Sequence, residues 1–208
     1  MSRGGNGHRI GIVSDIHCNT AGLQTALDLM GPIDQLISLG DSIYEYRFSN
    51  DVVALLRKHN AVTLWGNHEE VFFSDAGRMA RERPGIDMDL LAWLRERPRR
   101  VDITIAGKRI CMVHAAPWAP SDGPYLYPGH EDLFRLGETE ADIVLYGHTH
   151  IRLAQRIKSA LVVNPGSAGE GRDPRNSHQL SCAVLEPDSE LVEFFEFPDP
   201  GPGIRPLS

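Results

Sequence analysis

The chain has 208 residues, of which 41% are hydrophobic and 24% charged, and its formal net charge at pH 7 is −7. This composition is that of an ordinary globular domain and excludes collagen, disulfide scaffolds and intrinsic disorder. The acidic balance also argues against non-specific nucleic-acid binding, which needs a cationic face to displace phosphate counterions. A local arginine cluster at positions 95, 97, 99 and 100 is typical of a solvated helix end.

The sequence contains no segment suited to a membrane. Its longest apolar runs have five residues, whereas a membrane-spanning helix needs about 20. Residues 1–7 lack the apolar stretch of a secretory signal and are predicted to form a flexible lead-in. Cys18, Cys111 and Cys182 form no close-spaced pattern and are expected to be free thiols of a reducing compartment. Together these features predict a cytoplasmic protein that does not cross a membrane.

The first half of the chain alternates between strand and helix patterns. Strands are predicted at 9–13, 36–39 and 61–65. The first helix ends at Gly31-Pro32, and Asn50 is expected to cap the second. The order βαβαβ favours parallel pairing of these strands.

After a further helix that runs to Pro98, the pattern changes to strands joined by tight turns. A hairpin is predicted around Ala106-Gly107-Lys108, and later strands are expected at 143–146, 155–157, 161–163, 181–185 and 191–195. The Pro- and Gly-rich tail at 198–208 is predicted to be loose. No linker divides the chain. We therefore expect one α/β domain over residues 1–208, with two mixed sheets facing each other and helices outside.

Histidines are concentrated at the ends of the predicted strands. Five of the nine lie at or just after the end of a predicted strand: His17, His68, His114, His148 and His150. Ligands of open α/β sheets bind beyond the carboxyl ends of the strands, where side chains from several strands can meet. Asp15 and His17 are two positions apart, as are His148 and His150, and in extended chain this spacing points both side chains the same way.

Asp41 and Asn67 leave the second and third strands and add a carboxylate and an amide oxygen. The donor set then contains seven oxygen and imidazole groups and no thiolate: Asp15, His17, Asp41, Asn67, His114, His148 and His150. Seven donors exceed the needs of one tetrahedral ion, whereas two ions sharing a carboxylate would use them. Paired metals about 3.5–4 Å apart are the usual device for in-line displacement at phosphorus. The mixed donors suit Mn²⁺ first, or Fe, Zn²⁺, Co²⁺ or Ni²⁺, better than Mg²⁺ or Ca²⁺.

Short motifs that carry these donors occur in a set order over residues 10–185: Asp15-Ile16-His17, Gly40-Asp41, Gly66-Asn67-His68-Glu69, His114, Gly147-His148-Thr149-His150 and Asn164-Pro165-Gly166-Ser167. Their order and spacing resemble the calcineurin-like metallophosphoesterase family, and most closely its small bacterial phosphodiesterase branch. The resemblance implies a four-layer αββα sandwich with a two-metal centre at one edge.

The resemblance also implies a role for each donor. One metal would be bound by Asp15, His17, Asp41 and His150. The other would be bound by Asp41, Asn67, His114 and His148, so that Asp41 bridges both. His68 is left as a catalytic residue beside the leaving group. A metal-bound hydroxide would attack phosphorus in line, and His68 would protonate the leaving alkoxide or stabilise the transition state.

The chain departs from the family pattern after Gly40-Asp41. Phosphoprotein phosphatases continue there with Asp-Arg-Gly, in which the aspartate orients the catalytic histidine, whereas this chain continues with Ser42 and Ile43. A phosphodiesterase is therefore preferred to a protein phosphatase, and the orienting partner of His68 is not identified. The alternatives are a phosphomonoesterase, a dinucleoside polyphosphate hydrolase, and a catalytically silent protein-binding scaffold of the same fold.

Substrate contacts have two open interpretations each. Asn19 either reaches the site or caps the first helix, and Arg172 either meets a substrate phosphate or pairs with Asp173 or Glu170. Five aromatic residues either stack a base or aromatic leaving group or pack on the surface: Tyr44, Tyr46, Trp118, Tyr125 and Tyr127. The sequence points to a small phosphate ester as substrate, and it identifies neither that ester nor the oligomeric state.

Overall fold

The computed structural model describes residues 7–200. Most of the predicted lead-in and tail therefore lies outside the described residues, and the described parts, Gly7 and residues 198–200, belong to no helix or strand. Within the described range, no helix is both long and apolar enough to cross a bilayer.

The first sheet has five strands in the order β10 (Leu191–Phe197), β9 (Leu180–Glu186), β1 (Ile10–Val13), β2 (Gln35–Ser38) and β3 (Val62–Thr63). β1, β2 and β3 are parallel, as the βαβαβ pattern predicts, while β9 and β10 complete the sheet in antiparallel pairs. β3 has only two residues in the ladder, so the predicted strand at 61–65 is too long.

The second sheet has the order β4 (Arg100–Ile105), β5 (Lys108–Val113), β6 (Ile143–Leu145), β8 (Ala160–Asn164) and β7 (Leu153–Ile157). β4 and β5 form the predicted hairpin, and β6 lies parallel to both β5 and β8. Both sheets are therefore mixed. The predicted fold class is confirmed.

The two sheets pack face to face through apolar side chains. Ile12 and Ile37 of the first sheet belong to the same buried cluster as Met112, Ile143 and Val163 of the second. Burial of a side chain of this size contributes about 1.5–3 kcal/mol relative to leaving it exposed. This shared core fixes the positions of the two sheets relative to each other. The candidate site lies where the strand ends of both sheets meet.

The outer layers differ from each other. The first sheet is covered by α1 (Thr20–Met30) and α2 (Asn50–Lys58), whose buried residues include Leu23 and Leu56. The second sheet is covered by a 3₁₀ helix, Glu131–Glu138, whose Leu133 and Leu136 pack against Val144 and Val162. The fourth layer therefore contains a 3₁₀ helix and irregular chain where the resemblance implies α-helix.

Two local predictions need correction. Ser49, not Asn50, caps α2, because the Ser49 hydroxyl accepts the backbone N–H of Val52 at 3.3 Å. Asn50 instead binds the chain before the next helix, donating to the carbonyl of Gly85 at 2.7 Å and accepting from the N–H of Asp87 at 2.9 Å. The single helix predicted up to Pro98 is three short ones: α3 (Asn67–Phe73), α4 (Arg78–Arg81) and α5 (Met88–Arg95).

Candidate metal centre

All seven predicted donors come together at one edge of the two sheets. Asp15 and His17 follow β1, Asp41 follows β2, and Asn67 begins α3. The second sheet contributes His114 after β5, and His148 and His150 after β6. The donors form two main clusters, in each of which the candidate ligand atoms lie within 4.8 Å of one another: Asp15, His17 and His150, and Asp41, His114 and His148.

The first cluster joins β1 to the loop after β6. Nε2 of His150 lies 3.2 Å from Oδ1 of Asp15 and 3.1 Å from Nε2 of His17. All three side chains are buried. Oδ1 of Asp15 and Nδ1 of His17 are buried without a hydrogen-bond partner within the described part of the chain. A buried polar atom without a partner costs free energy, and a cation bound among these three side chains would remove that cost.

The second cluster has four donors around Nε2 of His114. This atom lies 3.1 Å from Oδ1 of Asn67, 3.2 Å from Nδ1 of His148 and 3.3 Å from Oδ2 of Asp41. The mixture of carboxylate, amide and imidazole donors is suited to a first-row divalent cation.

Backbone carbonyls orient the three imidazoles of the second sheet. The outward-facing nitrogens lie against carbonyl oxygens: Nδ1 of His114 at 2.8 Å from Leu39, Nε2 of His148 at 3.2 Å from Gly123, and Nδ1 of His150 at 3.0 Å from Glu170. A ring nitrogen beside a carbonyl carries the proton, so in the neutral tautomer the other nitrogen directs its lone pair into the cluster. Lone pairs that face one another fit a bound cation, so the donor set fits divalent metal.

The electrostatics of the site favour positive charge. Burial opposes ionisation of Asp15 and Asp41, but the neighbouring histidines outweigh it and lower the pKa of both carboxyls. Burial likewise opposes protonation of His114, yet Asp41 and Asp15 raise the pKa of this imidazole to about 10. Burial lowers the pKa of His17 and of His148 to about 4. Two buried carboxylates therefore stay ionised beside the neutral imidazoles of His17 and His148, while His114 carries a proton that a bound cation would displace.

The donor loops have an unusual backbone. Five candidate ligands have positive φ, a region that residues other than glycine adopt only when tertiary contacts enforce it: Asp15 (53°), His17 (48°), Asp41 (51°), His148 (67°) and His150 (57°). The predicted extended conformation is therefore wrong for both pairs. Asp15 and His17 still reach one cluster, whereas His148 and His150 belong to different clusters.

Contacts between loops stabilise this backbone. The N–H groups of Asp15 and His17 donate to the carbonyls of Gly40 and Asp41, at 3.1 and 2.9 Å. Gly66 lies so close to Asp41 that a Cβ there would stand 2.2 Å from Oδ1 of that carboxylate. The close approach explains the glycine before Asn67, because any side chain would displace the carboxylate.

The Asn-Pro-Gly-Ser segment stabilises the ligand loops without contributing a ligand. Asn164 is fully buried, and its amide donates to the carbonyl of Gly147 at 2.8 Å, next to His148. The Ser167 hydroxyl donates to the carbonyl of Asp15 at 2.7 Å. These two side chains hold the loops after β1 and β6 at a constant separation.

Glu69 is a functional residue for which sequence reasoning found no role. Its buried carboxylate accepts four backbone N–H groups, from Asp41 and Gly66 at 2.9 Å each, from Ser42 at 2.7 Å and from Ile43 at 3.3 Å. Burial and the charge of Asp41 raise the pKa of Glu69 to about 7. The signal was present in the sequence, since a glutamate in the first turn of a helix can receive N–H groups from the preceding loop.

His68 lies between the two main clusters and has a carboxylate partner. Its Nε2 is 3.7 Å from Oδ2 of Asp41, and its backbone N–H donates to Oδ1 of Asp41 at 2.9 Å. Nδ1 is in contact with the carboxylate of Glu45 and lies 3.2 Å from the backbone nitrogen of the same residue. Glu45 therefore occupies the position of the orienting partner that could not be identified from the sequence.

The predicted substrate contacts have different surroundings. Asn19 caps α1, accepting the N–H of Gly22 at 2.8 Å. Tyr44 stacks on His17 with ring centroids 4.8 Å apart, and its hydroxyl donates to Glu170. Arg172 donates to the other oxygen of Glu170 at 2.6 Å. Asn19 therefore has the capping role, while Tyr44, Glu170 and Arg172 form one network at the rim of the site.

A sandwich of two mixed sheets with carboxylate and imidazole clusters at its edge defines a class of metal-dependent phosphoester hydrolases. The family model for the calcineurin-like phosphoesterase superfamily domain matches residues 9–190. The chain belongs to this superfamily.

Individual relatives are similar over most of the chain. The chain is 28% identical over 210 residues to the uncharacterized protein MJ0912 of Methanocaldococcus jannaschii, covering 88% of this chain and 84% of that protein. Its fold is similar to the crystal structures of a metallophosphoesterase from Sphaerobacter thermophilus (24% identity, TM-score 0.74, covering 92% and 88% of the two chains) and of the hypothetical protein PH1004 from Pyrococcus horikoshii (20% identity, TM-score 0.75, covering 91% and 88%).

Proposed function

We propose that this chain is a dinuclear metal-dependent phosphodiesterase that acts on a small phosphate ester. The observation that carries the proposal is the position of Asp41. Its carboxylate belongs to the cluster of His114 and His148, and its ligand atom also lies within 4.8 Å of those of His17 and His68. A carboxylate shared in this way suits a bridge between two cations.

The residues divide between the two ions as follows. Asp15, His17, Asp41 and His150 would bind one ion, and Asp41, Asn67, His114 and His148 the other. Two divalent cations, with Mn²⁺ as first choice, would act as Lewis acids on the phosphoryl oxygens and lower the pKa of bound water to about 7. Asp15 and Asp41 are the carboxylates of the donor set, so the loaded site would carry net positive charge and attract an anionic phosphate inside an acidic protein.

His68 is proposed as the acid that protonates the leaving oxygen. It is half-buried, lies between the clusters and is not needed as a ligand in this assignment. Contact of Glu45 with Nδ1 leaves Nε2 as the nitrogen directed toward the site. A His68→Ala variant should retain bound metal and lose most turnover, and an unchanged kcat would remove the acid role.

Charge at the rim favours a diester over a monoester. The carboxylates of Glu45 and Glu170 stand beside His68 and Tyr44, and Glu170 already occupies the guanidinium of Arg172. Because Arg172 is already paired and Glu45 adds negative charge, this rim stabilises the second charge of a phosphomonoester dianion, or the charge of a polyphosphate chain, less than the single charge of a diester monoanion. A phosphomonoesterase and a dinucleoside polyphosphate hydrolase are the alternatives within the same chemistry.

The test is a comparison of substrates after reconstitution with each divalent metal. We expect bis(p-nitrophenyl) phosphate to be hydrolysed faster than p-nitrophenyl phosphate or a diadenosine polyphosphate, with two metal ions bound per chain. Asp41→Ala should lose both ions and His150→Ala only one, as measured by elemental analysis. Absence of turnover with every metal would favour a protein-binding scaffold.

Both sheets contribute ligands, so we propose that the chain acts as one catalytic domain. A cytoplasmic location stays a prediction from the sequence.

A further inference from the structure

Two tyrosines beside the metal centre are parallel and exposed. Tyr125 and Tyr127 have 45% and 46% of their surface open to solvent, and their ring centroids lie 5.8 Å apart at an angle of 11°. This separation is that of parallel-displaced rings, which leaves part of each face uncovered. The pair therefore presents a flat aromatic surface to solvent.

The backbone that carries these rings is anchored. The side chain of Leu126 is buried in the apolar cluster against the second sheet, and its carbonyl accepts the hydroxyl of Tyr146 at 3.0 Å. The N–H of Tyr127 donates to the carbonyl of Tyr125 at 2.9 Å, which closes a tight turn. Because Leu126 points into the core, both neighbours are displayed outward from a fixed turn.

The aromatic surface begins at a candidate metal ligand. The ring of Tyr125 lies on the imidazole of His148, with centroids 3.9 Å apart and an angle of 17° between the rings. The carbonyl of Gly123, in the same loop, lies 3.2 Å from Nε2 of His148. The surface therefore extends outward from the metal centre over two tyrosine rings.

Two other aromatic candidates have less free surface. Tyr44 is stacked on His17, its hydroxyl is bound to Glu170, and the guanidinium of Arg47 lies 4.5 Å from its ring centroid. Trp118 lies beneath the guanidinium of Arg135, 4.2 Å from its ring centroid. Tyr46 is 51% exposed, but Tyr125 is the exposed tyrosine whose ring lies on a candidate metal ligand, His148. The aromatic surface that begins at the metal centre is therefore that of Tyr125 and Tyr127.

We infer that Tyr125 and Tyr127 form a stacking platform for the base of a nucleotide ester whose phosphate lies at the metal centre. The inference rests on the proposed phosphodiesterase function and names the class of ester. A nucleoside places a sugar between phosphorus and base, which suits a ring surface that continues outward past Tyr125. Stacking of bases on aromatic side chains needs only a π face, so the platform accepts any base.

The test compares two diesters with the same leaving group on the Mn²⁺-loaded protein: the p-nitrophenyl ester of thymidine 5′-phosphate and methyl p-nitrophenyl phosphate. Tyr127→Ala should lower the ratio of kcat/KM for the nucleoside ester over the methyl ester by about tenfold, mainly through KM. Tyr127→Trp should restore the ratio. The matched control is Phe134→Ala, because Phe134 is 50% exposed in the 3₁₀ helix of the same layer.

Binding supplies a readout that is independent of turnover. Calorimetry with the Mn²⁺-loaded protein should show tighter binding of AMP than of ribose 5-phosphate, with this advantage reduced about tenfold in Tyr127→Ala and intact in Phe134→Ala. An unchanged substrate ratio in Tyr127→Ala, or equal affinity for AMP and ribose 5-phosphate, would overturn the platform. If neither diester is hydrolysed with any metal, the proposed function fails. The comparison of AMP with ribose 5-phosphate then still tests whether the two tyrosines bind a base.

Discussion

Replacing Glu69 by glutamine tests whether a buried carboxylate orders the loop of the bridging aspartate. The carboxylate accepts four backbone N–H groups, two on each oxygen, from Asp41, Ser42, Ile43 and Gly66. Glutamine keeps one of the two accepting oxygens. Its amide nitrogen is a donor, so it cannot accept the two N–H groups that it would face. The change therefore removes two hydrogen bonds to a charged group and leaves two buried donors without a partner.

The expected cost follows from these contacts. A hydrogen bond to a charged group contributes about 1.5–3 kcal/mol, so two of them amount to about 3–6 kcal/mol. Removal of a buried charge offsets part of this, since burial raises the pKa of Glu69 to about 7. A net loss of about 2–4 kcal/mol is expected, which for a chain of this length lowers Tm by about 5–15 °C. Misplacement of Asp41 should also weaken metal binding.

Denaturant unfolding of the metal-free protein and metal titration by calorimetry measure the two effects. The matched control is Glu70→Gln at the next position, where the carboxylate pairs at the surface with Arg99 and accepts the hydroxyl of Ser121. A surface pair of this kind contributes at most about 1 kcal/mol. If Glu69→Gln were no less stable than Glu70→Gln and bound metal equally well, the role of Glu69 in positioning Asp41 would be wrong.

Three further predictions concern the same site. Glu45→Gln should lower kcat about 10–100-fold, with metal content and KM nearly unchanged, because the Glu45 carboxylate orients His68. Glu45→Asp, which keeps a carboxylate, should recover part of the lost kcat. Equal kcat in both variants and wild type would refute this role. Asn164→Ala should destabilise the chain by about 1–3 kcal/mol in thermal unfolding, because the carbonyl of Gly147 loses its buried donor. The control is Asn176→Ala, in the 3₁₀ helix Pro174–Asn176, where the side chain bonds to Gln179 nearby in the sequence. The stability of the metal-free protein should fall as pH drops from about 6.5 to 4. Burial lowers the folded-state pKa of His17 and His148 to about 4, so the unfolded chain binds more protons at these two groups. Glu69, whose folded-state pKa is raised to about 7, offsets part of this loss. Unfolding free energies measured at pH 7, 5.5 and 4.5 check the sign, and a flat profile contradicts it.

Several features of the site were readable from the sequence because they depend on local pattern. Apolar runs bounded by glycine and proline predicted nearly every strand, and polar groups after those strands predicted the seven donors. The donors converge because parallel strands end at the same edge of a sheet. This part of the prediction needed residue order alone.

The sequence-based predictions are wrong where contacts between distant parts of the chain determine the backbone conformation. The left-handed conformation of Asp15 and His17 is stabilised by N–H groups that reach the loop after β2, so alternation in extended chain does not apply. Nonlocal contacts also decide the cap of α2. The Asn50 side chain, which was expected to cap this helix, instead bonds to Gly85 and Asp87, and Ser49 is the cap.

Residue types and their order along the chain therefore determined the layered architecture and the donor set, since both follow from periodicity and from positions at strand ends. Only the tertiary structure decided which histidine joins which cluster, that Glu45 contacts His68, that Glu69 collects four N–H groups, and that Tyr125 lies on His148. The reason is that each of these contacts joins loops from different elements. Their separation is set by packing of the two sheets, which no short stretch of sequence encodes.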